Sequence, residues 1–306
     1  MASTQRSWPA RWVAGLFASL ALPLFAATLD LRWRDPARER EVPLRVYLPV
    51  QQGADTRCPL LLLSADEHPA EVLPSAGVGA WIERWVGAGL AVVHIRHPGV
   101  TLGSAPFRTA TGSARGVTPE QLLGQVDDVA FVIAELRRRQ GEGVEPWLGC
   151  LDLERVGFAG MGLGARLAQA LAGERYPGPI ASLARADLRA FVAVNPAVQG
   201  QRKTHPDRYG AMHAPFFAVV ERRVPTTASQ PTFGRRLALF DALPPGGKLR
   251  VVVPDVATAP ELVYRLSALF LLRHLRAPVV SPETGDATYT QTIAKLRAAG
   301  VRVDAK

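Results

Sequence analysis

Between Val156 and Gly173 the chain reads VGFAGMGLGARLAQALAG. A short apolar strand runs into three alternate glycines, Gly160, Gly162 and Gly164, and a small-residue helix carrying Leu167, Ala168 and Leu171 follows. This is the layout of a nucleophile elbow, G-x-S-x-G, in which a serine hydroxyl is exposed on a sharp strand-to-helix turn. Here the central position is Gly162, which has no hydroxyl. Glycine accepts strained backbone more easily than serine, so the turn can persist without its chemistry. Backbone N–H groups and a helix N-terminus aimed across Gly160, Met161, Gly162, Leu163 and Gly164 would favour an anion or a carbonyl oxygen.

The same glycines also satisfy G-x-G-x-x-[G/A], the dinucleotide-binding fingerprint, as Gly160-Met-Gly-Leu-Gly-Ala165. That fingerprint calls for an acidic residue about 20 positions later, at the end of the next strand. The next strand, Leu188 to Val194, instead ends in Asn195-Pro196. Several strands also precede the turn, whereas the fingerprint usually opens its domain.

Displaced chemistry is the other alternative. A serine hydrolase needs nucleophile, base and acid within hydrogen-bond reach. His94 lies inside a strand and His274 inside the last long helix, which suits structural roles. His68 and His97 follow strands and could border a pocket, with Ser64, Ser104 or Ser113 as partners. Glu221 and Asp255 fall at the carboxyl ends of strands, the end where open α/β sheets bind ligands. His97 also suits a loop anchor. Asp66, Glu67, His68 and His97 show no metal-ligand spacing, so no metal is expected.

Strands alternating with helices position these residues. Leu29, Leu31 and Trp33 alternate with charged residues, and Val42 to Leu48 alternates again, an antiparallel edge hairpin. Pro59 to Ser64 is an unbroken apolar run, as in a strand covered on both faces. A helix over 77–88, a strand over 90–96 and a long Gly/Ser/Thr/Pro loop follow. Thr118, Pro119 and Gln121 then form a helix start with a capping box. Leu122, Leu123, Val126, Val129, Ile133 and Leu136 are expected to give that helix its buried stripe. Later strands are expected at 155–159, 188–194, 215–220 and 249–253, with helices over 233–243 and 260–275. The pattern predicts a mostly parallel sheet with helices on both faces. Residues 281–306 read as a polar tail with one short helix around 290–298, packed on the domain or flexible.

A formal charge of +9 does not indicate nucleic acid, because the arginines are scattered and no aromatics interleave with them. Residues 1–27 read as a Sec-type signal peptide: Arg6 and Arg11, an apolar stretch from Trp12 to Phe25, then Ala26 and Ala27. An uncleaved signal anchor is the alternative. After cleavage no stable membrane span is expected, and the location expected is periplasmic or secreted. Cys58 and Cys150 each precede a strand, so in an oxidising compartment they could meet at one end of the sheet as a disulfide.

The chain resembles the dienelactone hydrolase-like and platelet-activating-factor acetylhydrolase-like branch of the α/β-hydrolases, from about Leu29 to about Gly300. The resemblance is carried by Arg34-Asp-Pro-Ala-Arg38, Leu44 to Pro49, Val92 to Gly99, Asp127 to Val132, Leu151 to Gly157 and Phe240 to Lys248, in that order. It implies an α/β-hydrolase-like domain over 28–280 and ester or lactone hydrolysis by a Ser–Asp–His triad, with no cofactor. The residues that should carry this chemistry are replaced. The nucleophile falls on Gly162, the acid near Val224, and the base in Pro254 to Ala259, near Thr258. The oxyanion segment reads Ser64-Ala-Asp-Glu-His-Pro69. The expectation is therefore a pseudoenzyme with a pocket around Ala65, Asp66, His68, His97, Glu221 and the glycine turn. It would bind a small acyl, ester-like or carboxylate ligand, or a protein partner. An active esterase with a displaced nucleophile and a nucleotide-binding protein are the alternatives.

Overall fold

The computed structural model describes residues 27–50, 57–65, 77–98, 118–177, 182–199, 204–222, 232–254, 261–275 and 282–306. The N-terminal segment read as a signal peptide lies outside them, apart from Ala27, which opens the first strand.

Nine strands form one sheet among the described residues: β1 Ala27–Asp35, β2 Arg40–Leu48, β3 Cys58–Ala65, β4 Ala91–Ile95, β5 Leu151–Met161, β6 Leu188–Val194, β7 Phe216–Glu221, β8 Lys248–Val253 and β9 Arg302–Ala305. Their spatial order is β1-β2-β4-β3-β5-β6-β7-β8-β9. β3 to β8 pair in parallel, while β1–β2, β2–β4 and β8–β9 are antiparallel. Residue type separates edge from centre. β1 alternates exposed and partly buried positions, whereas β4 and β8 are buried throughout.

Among the described residues seven helices cover the sheet: α1 Gly77–Gly87, α2 Pro119–Glu142, α3 Leu163–Leu171, α4 His205–Tyr209, α5 Phe233–Ala242, α6 Glu261–Leu275 and α7 Pro282–Ala298. The period-2 geometry of β3 splits its apolar run between two cores. Leu60 and Leu62 pack with Val129 of α2, Leu167 of α3 and Leu239 of α5. Leu61 and Leu63 pack with Trp81 and Trp85 of α1, Leu266 of α6 and Leu296 of α7. The two α1 tryptophans are fully buried, and each large apolar side chain removed from water contributes about 1.5–3 kcal/mol. Trp85 also donates its indole N–H to Ser267 Oγ at 2.9 Å, fixing α1 against α6.

α2 starts where its capping residues predict. Gln121 N–H donates to Thr118 Oγ1, the Gln121 side chain accepts from Thr118 N–H, and the helix closes on Gly143 at φ 64°.

The C-terminal segment differs from the polar tail expected of it. Its helix begins at Pro282 rather than near Thr290, and a strand, β9, follows and pairs antiparallel with β8. The sequence signal is weak because β9 has only four residues. A strand that short takes its conformation from the neighbour it hydrogen-bonds.

Cys58 begins β3, and Cys150 ends a 3-10 turn, Pro146–Cys150, directly before β5. Cys58 is in register with Leu151, so the two cysteines lie at the same end of neighbouring strands. Both are thiols, and Cys58 Sγ donates to the Cys150 carbonyl at 3.1 Å.

Candidate functional site

Strand register assembles the site. Ala65 of β3 lies beside Met161 of β5, Met161 beside Val194 of β6, and Val194 beside Val219 of β7. The carboxyl ends of four parallel strands thus form one row, and the glycine turn leaves from its middle. Open α/β sheets bind ligands at this end.

Gly162 has φ 60° and ψ −121°, outside the regions open to most side chains. These angles match the first central residue of a type II′ turn, a position that favours glycine. The chain therefore reverses within one residue between β5 and α3, and Gly162 stands exposed at the apex. The flanking glycines are needed for a different reason. A Cβ on Gly160 would lie 2.0 Å from the Gly164 carbonyl oxygen, and one on Gly164 would lie 2.0 Å from the Ser64 carbonyl oxygen. The start of α3 presses against the ends of β3 and β5 with no room for a methyl group. Two glycines permit close approach and the third permits the bend, which is how G-x-S-x-G builds an elbow. Only the nucleophile is absent.

The structure gathers Ala65, Met161, Gly162, Leu163 and Gly164 with Ser64 at this turn. Ser64 is buried, and its Oγ would sit 2.9 Å from a Cβ on Gly164. Asp66, His68, Val224 and Thr258 lie outside the described residues, as do Ser104, Ser113 and Asp255.

His97 is held elsewhere. Its Nδ1 lies 2.9 Å from Asp128 Oδ2 on α2. Asp128 is fully buried and also meets Arg38 at 2.9 Å and Arg40 at 3.1 Å. Four charged or titratable groups thus lock the β1–β2 hairpin and the segment after β4 onto α2. That arrangement suits an anchor, and it explains why Arg34-Asp-Pro-Ala-Arg38 and Asp127-Asp-Val occur together in this chain.

Glu221 ends β7 and accepts from Asn195 Nδ2 at 3.1 Å, while its own N–H donates to Asn195 Oδ1 at 2.8 Å. Arg236 of α5 is almost fully buried beneath it, 3.9 Å from Glu221 Oε2. Desolvation lowers the Arg236 pKa, and the Glu221 charge opposes that shift. Asn195 carries this knot with φ 59°, a conformation asparagine tolerates better than most residues. Sequence reasoning passed over Asn195 and Arg236. The Asn-Pro pair closing β6 was the available signal for the first, and nothing local marked the second.

Among the described residues, no three metal-ligating side chains gather, and no helix is long and apolar enough to cross a membrane.

No family model matches the sequence, and no curated protein matches it. Solved structures do match in three dimensions. A cold-adapted esterase from an Arctic intertidal metagenomic library superposes with TM-score 0.53 at 14% identity, over 81% of this chain and 94% of that one. A dienelactone hydrolase from Anabaena variabilis gives TM-score 0.51 at 16% identity, over 81% and 99%. The esterase domain of a Rhodothermus marinus protein gives 0.52 at 13%, over 82% and 100%. Identities this low speak for backbone architecture alone, and strand order, elbow and superposition agree on it: the chain has the α/β-hydrolase fold.

Proposed function

We propose that this is an exported, catalytically inactive α/β-hydrolase-fold protein whose pocket at the glycine turn binds a small acyl, ester-like or carboxylate ligand. One observation carries the reading: the elbow backbone is retained at Gly162, φ 60° and ψ −121°, with no side chain to attack a carbonyl. Removing a nucleophile from a triad costs several orders of magnitude in turnover. α3 begins at this turn, at the carboxyl end of the sheet, where the helix dipole favours negative charge or a carbonyl oxygen. The apolar stretch between Trp12 and Phe25, flanked by Arg6, Arg11 and Ala27, supports export.

The test is hydrolysis of short p-nitrophenyl esters by the purified mature protein, with a fluorophosphonate probe alongside. The expected result is turnover at background and no label. Stoichiometric labelling of any serine would overturn the reading. Labelling of Ser64, whose hydroxyl lies against the turn, would identify a displaced nucleophile.

A further inference from the structure

A cavity of about 350 Å³ lies on the helical flank of the sheet, between the start of α2 and the outer side of α3. Its walls include Leu122 and Leu123 of α2, Arg166 of α3, Tyr176, Gln199 and Arg208.

The charges in this cavity do not cancel. Arg208 is committed: its Nε lies 2.6 Å from Oε1 of Glu174, a fully buried carboxylate. Tyr176 donates its hydroxyl to the other oxygen of Glu174 at 3.2 Å, and burial pushes the phenol pKa up so that it keeps its proton. Gln169 Nε2 adds a longer contact to the same oxygen, 3.5 Å away. Glu174 is therefore fully used from below. Arg166 has no carboxylate partner among the described residues. Its guanidinium lies 5.5 Å from the Tyr176 ring centroid, and its Nε is buried without any hydrogen-bond partner. Buried donors in folded proteins are normally hydrogen-bonded, so the site holds a cation whose hydrogen bonding is incomplete among the described residues.

We infer that this cavity is a binding site for a monocarboxylate with an apolar tail, the Arg166 guanidinium pairing with the carboxylate and Leu122 and Leu123 receiving the chain. Several features select that class. Of the two arginines on the described walls one is uncommitted, which suits a single carboxylate better than a dianion. Guanidinium presents paired N–H donors matched to two carboxylate oxygens. Leu123, expected on the buried stripe of α2, is instead among the few large apolar side chains exposed in the described structure, because it follows Leu122 directly and so falls about 100° around the helix from it; it lies on this wall. The cavity sits one helical turn beyond Gly162 on the flank of α3, so it stands independently of the reading proposed for the glycine turn.

The experiment is calorimetric titration of the mature protein with octanoate, octanamide and acetate, repeated on Arg166→Gln and Leu123→Glu. Octanoate is expected to bind one to one. Octanamide, with the tail but no charge, and acetate, with the charge but no tail, should each bind at least about tenfold more weakly. Both variants should lose at least about tenfold in octanoate affinity, and rising salt should weaken binding. Leu123→Glu changes an exposed residue, so it keeps the test valid should Arg166→Gln fold poorly. Absence of octanoate binding at about 10 mM, equal binding of octanamide, or octanoate affinity unchanged in folded variants would each overturn the inference. Binding that survives both variants while the protein shows no esterase activity would place the ligand at the glycine turn instead, separating this site from that one.

Discussion

Replacing Gly162 by Ser restores the side chain of a nucleophile elbow, and the structure fixes what that should cost. A residue with a Cβ at φ 60° and ψ −121° carries about 1–3 kcal/mol of backbone strain. Losing the glycine also narrows the unfolded ensemble, which returns about 0.4–1 kcal/mol. The net destabilisation is then about 1.3 kcal/mol at mid-range, or about 3–5 °C in melting temperature for a domain of this size. Gly164→Ala is the internal control. Its methyl carbon would be 2.0 Å from a backbone carbonyl oxygen of β3, so backbone has to move. Forced overpacking against backbone belongs at or above about 3 kcal/mol. Melting temperatures of wild type, Gly162→Ser and Gly164→Ala should therefore fall in that order, with Gly164→Ala lowest. On p-nitrophenyl acetate, Gly162→Ser should stay at background, because a serine hydroxyl without a general base is a weak nucleophile. Nothing in Pro254 to Ala259 can supply an imidazole, and His97 is turned onto Asp128. The smallest set that could restore the constellation is Gly162→Ser with Val224→Asp and Thr258→His. Appreciable turnover by the single Ser variant would refute the argument from missing partners. A single Ser variant less stable than Gly164→Ala would refute the division of labour among the three glycines.

Asp128→Asn should cost about 3 kcal/mol in urea unfolding, since it removes a fully buried carboxylate that neutralises Arg38 and Arg40; a loss below about 0.5 kcal/mol would deny it an anchoring role. Oxidation should join Cys58 to Cys150, detected as loss of both thiols to a chromogenic disulfide reagent. Closing that loop would stabilise by about 4–5 kcal/mol in the chain-entropy model, and two titratable thiols persisting in oxidised protein would exclude the bond. In the reduced protein Cys150 should alkylate first, because a hydrogen bond from Cys58 draws its pKa down to about 7 while the Cys58 thiol is pushed up. Burial holds His274 down at about 4, with Arg273 adding to the effect. Its neutral form is thus favoured in the fold, and the stability this gives is full above about 6.5 and lost as pH falls toward 4. The urea midpoint should drop between about pH 7 and pH 5, and His274→Gln should flatten that slope; an unchanged slope would place the titration elsewhere.

Local patterns specify those parts of the protein whose partners are neighbours along the chain. The doubly apolar run at Leu60 to Leu63, the alternating edge hairpin and the Thr118 cap are local patterns, and each forms the element its pattern demands. The glycine turn was legible for the same reason, as a strand, three spaced glycines and a helix within eighteen consecutive residues. What the individual glycines do was decided by tertiary structure. Gly164 is required because Ser64, a hundred positions earlier, lies against it. The same holds for His97, whose histidine could have served chemistry or anchoring until Asp128 of α2 was found beside its ring. Glu221 likewise reads as a free carboxylate at a strand end, and only folding brings Asn195 and Arg236 to it. β9 is not legible in the sequence because four residues carry too little periodicity, and its conformation comes from pairing with β8. Arg166 is the clearest case. In sequence it is one arginine among many, and only folding shows that it has no carboxylate partner among the described residues while Arg208 pairs with Glu174. Periodicity and capping record contacts a few residues apart, whereas charge balance, close backbone approach and cavities depend on partners the chain brings together only by folding.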